Sequence, residues 1–173
     1  MAGGLEELAA RRAADQPPRA SSKLHRARPP GALPGKRFFE LCTQCNDCVA
    51  ACPAWAIGKS AAHEPHPGYP YVEPNRTPCA MCDDPLPCIA ACTTRALLPT
   101  PRTAIRFGRA QLDATRCVVP MGEPCEFCVQ HCPVAEAAIR MTEQGPMIVE
   151  AGCTGCALCV IVCPEDALHV VAD

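Results

Sequence analysis

Residues 42–53 read CTQCNDCVAACP and residues 153–164 read CTGCALCVIVCP. Both follow C-x2-C-x2-C-x3-C-P, with Cys42, Cys45, Cys48 and Cys52 in the first and Cys153, Cys156, Cys159 and Cys163 in the second. In this run three closely spaced thiolates hold one [4Fe–4S] cubane and the fourth reaches a neighbouring one. The spacing suits the chemistry: a cubane needs four soft anionic donors aimed inward from a tight loop whose N–H groups face the sulfides. Small residues between or after the ligands (Ala50, Ala51, Ala54, Ala90 and Ala91) allow close backbone approach. Proline after the fourth cysteine suits the first turn of a helix, so a helix is predicted to begin there.

The chain of 173 residues holds 16 cysteines, and the other eight form two irregular versions of the pattern. Cys79, Cys82, Cys88 and Cys92 run C-x2-C-x5-C-x3-C, with Asp83-Asp84-Pro85-Leu86-Pro87 as an expanded loop and Thr93 where proline was expected. Cys117, Cys125, Cys128 and Cys132 run C-x7-C-x2-C-x3-C before Pro133, the first cysteine set apart by residues 118–124. With every ligand position filled, four [4Fe–4S] clusters are expected. The regular motifs are the outer two and the irregular ones the inner two, which points to outer pairing with outer. The expected sets are then Cys42, Cys45, Cys48 with Cys163; Cys153, Cys156, Cys159 with Cys52; Cys79, Cys82, Cys88 with Cys132; and Cys117, Cys125, Cys128 with Cys92. Sequential pairing, one with two and three with four, is the alternative. Zinc also uses C-x2-C pairs, but needs neither a third cysteine two residues on nor a repeated C-x3-C-P. No C-x-x-C-H for haem occurs.

Aromatics make up 4% of the chain, against twenty prolines, so metal clusters are expected to replace part of the core. A disulfide framework would call for an export signal, and none is seen: Arg11-Arg12 is followed by Ala-Ala-Asp-Gln-Pro-Pro rather than an apolar segment. No apolar stretch approaches the ~18 residues of a membrane span. Residues 1–37 carry eight basic side chains against three acidic, and the remainder eight against fifteen. Four clusters with their thiolates would add about −8, making an acidic body steered toward basic patches on redox partners and sensitive to salt.

Residues 1–37 read as a basic, proline-rich, largely disordered arm, and residues 38–173 as a four-cluster domain. From Phe38 onward the chain repeats a unit of cysteine loop, Cys-Pro or Cys-Thr junction, short Ala-rich helical turn and apolar pair. The pairs are Ala56-Ile57, Ala96-Leu97, Ala138-Ile139 and Ala167-Leu168. Extended segments are expected at Tyr69–Glu73, Ala104–Phe107, Met147–Glu150 and Leu168–Val171, with Gly145-Pro146 punctuating a hairpin. The predicted fold class is α+β: tandem ferredoxin-like (βαβ) units in a loop-rich polyferredoxin with pseudo-twofold halves.

Other candidates carry less. His63 and His66 lie in a Pro/Gly loop that reads as a solvated turn, and His131 beside Cys132 reads as a surface histidine. Trp55 and Phe127 are placed to shield clusters from water or simply to pack. There is no phosphate-binding glycine loop, flavin or nicotinamide fingerprint, or nucleophile–base constellation, and the acidic body argues against nucleic acid. The chain reads as wiring without a substrate site: an electron carrier or electron-transfer subunit, with no direct membrane insertion.

Several segments outside the cysteine spacing are distinctive: Arg28-Pro29-Pro30-Gly31-Ala32-Leu33, residues 39–53, Gly68-Tyr69-Pro70-Tyr71-Val72, Thr77-Pro78-Cys79-Ala80-Met81-Cys82, the Asp-rich loop with Pro87-Cys88, and Cys125-Glu126-Phe127-Cys128. Over roughly residues 28–171 the chain resembles the ferredoxin-type proteins of the NapF, NapG and MauM kind, associated with periplasmic nitrate reductase or methylamine utilisation. The resemblance implies one-electron transfer through cubanes, without catalysis. It also implies redox protein partners: a molybdenum oxidoreductase, which the chain would serve as carrier or cytoplasmic maturation factor, or the other subunits of a larger complex. NapG- and MauM-like relatives usually carry a twin-arginine export signal, whereas NapF-like relatives are cytoplasmic. A cytoplasmic location is therefore the expectation.

Overall fold

The structure, a computed structural model, describes residues 25–172. A short helix α1 (Arg37–Leu41) leads into the first cysteine motif. Each motif then forms one helical turn around its third cysteine: α2 (Asp47–Ala50), α3 (Pro87–Ala90), α4 (Phe127–Gln130) and α5 (Leu158–Ile161). Cys48, Cys88, Cys128 and Cys159 are each the second residue of such a turn. The helix predicted to open at Cys-Pro is corrected here, because the helical turn stops before the fourth cysteine. The Cys-Pro step instead begins a reverse turn, closed by N–H groups of Trp55, Arg95, Ala135 and Asp166 donating to the carbonyls of Cys52, Cys92, Cys132 and Cys163 at 3.2, 3.4, 3.1 and 3.4 Å. Proline pre-sets φ at the second position of a turn as well as at a helix start. Thr93 makes the same turn without it.

The residue closing each turn is left-handed, with φ of 53° at Trp55, 58° at Arg95, 50° at Ala135 and 50° at Asp166. The apolar pair follows it directly in the first, second and fourth motifs and after Glu136-Ala137 in the third, and all eight members are buried. Three antiparallel ladders follow from these pairs. Strand β1 (Ile57–Lys59) pairs with β2 (Pro70–Val72), Ile57 opposite Val72. Strand β3 (Arg109–Leu112) pairs with β6 (Leu168–Val171), Leu112 opposite Leu168. Strand β4 (Ile139–Thr142) forms a hairpin with β5 (Gly145–Ile148).

The molecule is α+β and rich in loop, as predicted. Its strands pair antiparallel, whereas a βαβ unit in the strict sense carries parallel strands. A parallel crossover takes a dozen or more residues, usually with a full helix, and these helices are single turns tethered to cysteine loops. Two local expectations shift. Ala104–Phe107 is the tail of a 3-10 turn (Arg102–Ala104) and the chain leading from it, with the strand beginning only at Arg109. Gly145-Pro146 opens β5 rather than forming the hairpin's turn.

The expected disordered arm falls partly on residues 1–24, which lie outside the described residues. From His25 onward the chain is built into the body, so the boundary at 37/38 does not separate arm from domain. Ala27 exchanges two 2.8 Å backbone hydrogen bonds with Val72, and Leu33 N–H donates to the Ala96 carbonyl. Pro29 and Pro30 are buried. The Arg28 guanidinium lies over the rings of Phe38 and Phe39, at 5.5 and 4.9 Å. Gly31 has φ +72°, and a Cβ there would stand 2.2 Å from the Leu98 carbonyl oxygen. This segment is a strap satisfied by backbone ladders and cation–π contacts.

One core gathers Phe38, Val72, Met81, Leu86, Ile89, Leu97, Ile105 and Phe107, and a second gathers Ile139, Ala157, Val160, Leu168 and Val170. Three polar ties join them. Cys79 N–H donates to the Cys156 carbonyl at 3.0 Å, and Phe107 N–H to that of Thr154 at 2.9 Å. The Asn75 amide brackets Val170, accepting from its N–H and donating to its carbonyl, both at 2.7 Å.

Candidate metal centres

The cysteines meet in four groups. Cys42, Cys45, Cys48 and Cys92 line one chamber with Phe38, Pro70, Ala96 and Leu97. Cys117, Cys125, Cys128 and Cys163 line another with Leu112, Val118, Val119, Phe127 and Leu168. Cys52 and Cys82, with Cys156 beside them, lie close enough to raise Cys79, and Cys79, Cys52 and Cys48 to raise Cys88, so Cys52 stands with the second motif as a third group. Cys153, Cys132 and Cys159 pack in one cluster, and Cys132 and Cys153 lie close enough to raise Cys156, which makes the fourth group. The fourth cysteine of each motif therefore joins its sequential neighbour, and the outer-with-outer sets expected from the spacing are corrected: Cys92 and not Cys163 stands by Cys42, Cys45 and Cys48, and Cys163 and not Cys92 by Cys117, Cys125 and Cys128. Likewise Cys52 joins Cys79, Cys82 and Cys88, and Cys132 joins Cys153, Cys156 and Cys159. The physical cause lies between the motifs. The β1–β2 and β4–β5 ladders fold each motif back onto the one before it, and α2 packs on α3 and α4 on α5. Irregular loop length reflects local sequence, not choice of partner.

All sixteen side chains are free thiols. Burial is the main cause pushing Cys48, Cys79 and Cys128 up to about 11 and Cys88 up to about 12, with neighbouring thiols adding to it. Burial raises Cys42, Cys156 and Cys159 as well. A thiolate in such a chamber needs a cationic centre or N–H donors to be stable.

The backbone supplies the donors. Ala56 and Leu97 N–H groups point to the sulfurs of Cys52 and Cys92 at 3.3 and 3.4 Å. Those of Ala110 and Ala167 point to Cys153 and Cys163 at 3.4 and 3.3 Å. Within the loops, Gln44, Asn46, Met81, Gly155 and Ala157 have φ between 51° and 72°. Alternating left- and right-handed residues turn successive N–H groups into a concavity for an anionic centre, a feature of many Fe–S sites. Among the described residues no three His, Cys, Asp or Glu side chains converge tightly enough for a single metal ion. The thiols ring apolar chambers instead, which suits a multi-iron core better than a lone tetrahedral ion.

Other predicted participants sort clearly. Trp55 is 78% exposed and shields nothing, since the left-handed turn swings it outward. Phe127 is 50% exposed and also lines the chamber of Cys117, Cys125, Cys128 and Cys163. His66 stacks on Phe39 at 4.1 Å, His63 is exposed, and exposed His131 holds the Phe127 carbonyl through Nδ1. Two residues escaped the sequence reading. Thr94 Oγ1 lies 3.7 Å from the Cys92 sulfur, and Asn75 ties the two cores. Only the repeat register, two residues past the fourth cysteine, could have flagged Thr94.

A fold of single helical turns and short antiparallel ladders around four-thiol chambers defines a ferredoxin-type iron–sulfur protein. The family model described as 4Fe-4S binding domain (Fer4) matches residues 146–169. The chain is 35% identical to the methylamine utilization ferredoxin-type protein MauM of Paracoccus denitrificans, over 79% of this chain and 66% of that one. It is 37% identical to MauM of Methylophilus methylotrophus and 38% to that of Methylobacillus flagellatus, each over 83% of this chain and 67% of the relative. The chain belongs to the MauM ferredoxin-type family. It spans about two thirds of the length of these relatives. A formate dehydrogenase–heterodisulfide reductase–formylmethanofuran dehydrogenase complex from Methanospirillum hungatei matches at 18% identity over 76% of this chain and 52% of that one, with a TM-score of 0.27, too low to bear on fold or function. No helix among the described residues is long and apolar enough to cross a membrane.

Proposed function

We propose that the chain is a relay of four [4Fe–4S] clusters passing single electrons between redox proteins, without a substrate site of its own. Each half is a ferredoxin-like unit with two clusters. Cys42, Cys45, Cys48 with Cys92, and Cys79, Cys82, Cys88 with Cys52, serve the first half. Cys153, Cys156, Cys159 with Cys132, and Cys117, Cys125, Cys128 with Cys163, serve the second. When bound, the clusters supply reversible one-electron storage, and the chain's part is to hold them dry, adjacent and hydrogen-bonded.

The observation that carries this reading is the 3.0 Å hydrogen bond from Cys79 N–H to the Cys156 carbonyl. It joins a ligand loop of one half to a ligand loop of the other, so the order of sites runs first motif, second, fourth, third. The test is composition: protein purified without oxygen is expected to hold about sixteen irons and sixteen acid-labile sulfides. Stoichiometric zinc without sulfide would overturn the proposal.

The relatives' name favours a role beside methylamine utilisation over one beside nitrate reduction. An accessory role resting on a free basic arm is weakened, because Arg26 and Arg28 of that arm are engaged by Glu64 and the Phe38–Phe39 rings.

A further inference from the structure

Of the four cysteine groups, the one formed by Cys117, Cys125, Cys128 and Cys163 ends the series, and its chamber has an unusual cover. Phe127 contributes to its wall while half its surface meets solvent. Next to it the seven-residue insert of the third motif folds into a tight loop, with Glu123 N–H returning to the Val118 carbonyl at 3.2 Å. That loop leaves Met121 65% exposed. Glu123 and Glu126 stand exposed on either side of Cys125, and no lysine or arginine occurs from Cys117 to Ile139. Arg116, at the base of the loop, is occupied by the Glu165 carbonyl at 2.9 Å. The opposite end, around Cys42 and Cys45, differs. Its loop residues Thr43, Gln44 and Asn46 are uncharged, and the exposed acids Glu40 and Asp47 are offset by Lys36 and Arg37 close by in sequence.

We propose that the Met121–Phe127 face is the docking surface for a redox protein whose electron-exchanging edge is apolar and rimmed by lysine or arginine. The inference rests on the cluster-relay reading above. Exposed apolar side chains are common singly, but two large ones beside a cofactor chamber, flanked by the exposed carboxylates of Glu123 and Glu126, match the anatomy of a transient redox interface. Charge steers the encounter, and a small apolar centre excludes water once the surfaces meet. Phe127 lies beside Cys128 in sequence and lines the chamber wall. One electron leaves the reduced chain and enters the partner's one-electron acceptor, or the reverse. No bond forms and no proton moves.

Ferric cytochrome c, a small basic haem protein, is the probe. The loaded full-length chain is first assayed for iron, sulfide and bleaching by dithionite, which tests the relay reading before any partner is added. The reduced protein is then mixed with the cytochrome at low ionic strength. The double variant Glu123→Lys, Glu126→Lys is compared with Glu40→Lys, Asp47→Lys, which makes the same change in net charge at the other end. The first is expected to slow second-order reduction at least tenfold and the second less than threefold. Met121→Ala should slow the reaction without altering its dependence on salt. Independently of electron transfer, carbodiimide cross-links from the wild-type chain to cytochrome lysines should map to Glu123 or Glu126. Equal slowing by both double variants, greater slowing by the second, or cross-links confined to other carboxylates would overturn the proposal.

Discussion

Thr94 shows how one hydroxyl can set a site apart. As a ligand Cys92 is a thiolate and can only accept, so the Thr94 hydroxyl 3.7 Å away becomes a donor to it, beside the N–H of Leu97. Among the described residues, the sulfurs of Cys52, Cys153 and Cys163 each receive a backbone N–H without such a hydroxyl, and the other side-chain hydroxyl on a thiol is that of Thr154 at Cys156. Hydrogen bonds to ligand sulfur stabilise the more negative, reduced state and raise the potential. Thr94→Val is therefore expected to lower the potential of the cluster at Cys42, Cys45, Cys48 and Cys92 by roughly a tenfold step in its reduction equilibrium, about 59 mV. In the proposed relay the other three should not move, and Thr94→Ser should restore the value. A potentiometric titration followed by electron paramagnetic resonance reads this directly. At this scale the sequence was most legible in the cysteines, whose donor chemistry is intrinsic, and least legible in Thr94, whose role exists only because the turn after Cys92 brings it back to the sulfur.

Among elements, the apolar pairs were readable because burial follows residue type wherever a turn ends. All eight are buried, and Leu168–Val171 forms the strand expected of it. The helices were misplaced because proline satisfies a helix start and a reverse turn equally well, and the choice depends on where the ligands anchor the chain. The junction between the halves was not legible. Asn75 resembles any turn asparagine until β6 is laid beside it. Asn75→Ala should cost the loaded protein ~1–3 kcal/mol, through two lost hydrogen bonds and an unpaired Val170 amide. Gly155 lies at the same seam with φ +68°, and a Cβ there would stand 2.4 Å from the Gly108 carbonyl oxygen. Gly155→Ala should cost about as much, by prising the seam open. Urea unfolding followed by loss of cluster absorbance measures both. No change in midpoint for either variant would show that the halves are held together elsewhere.

For the whole molecule the balance is between few apolar side chains and many thiols. Burial raises the chamber thiols well above the ordinary value of 9.0, so the metal-free fold holds them protonated at neutral pH. Binding a cluster requires thiolates, hence assembly releases protons and becomes more favourable as pH rises through the neutral range. The sign for the metal-free fold is the opposite. Its folded thiols ionise near 11 and unfolded ones near 9, so what stability it has falls as pH rises across that window. Reconstitution in weak buffer should acidify the solution in step with iron uptake. Chelation of the iron should abolish most of the secondary structure seen by circular dichroism. Uptake without acidification, or an intact spectrum after chelation, would contradict this account.

What the sequence determined by itself was the spacing of the cysteines and the burial of the apolar pair that follows each motif. Both depend on residues a few positions apart, where spacing alone constrains geometry. Which fourth cysteine completes each chamber, how the N-terminal strap is used, and which loops form the seam were decided only by tertiary structure. Those outcomes hang on antiparallel ladders, helix-on-helix contact and backbone ties between distant residues. Their stability depends on neighbours that no local spacing specifies.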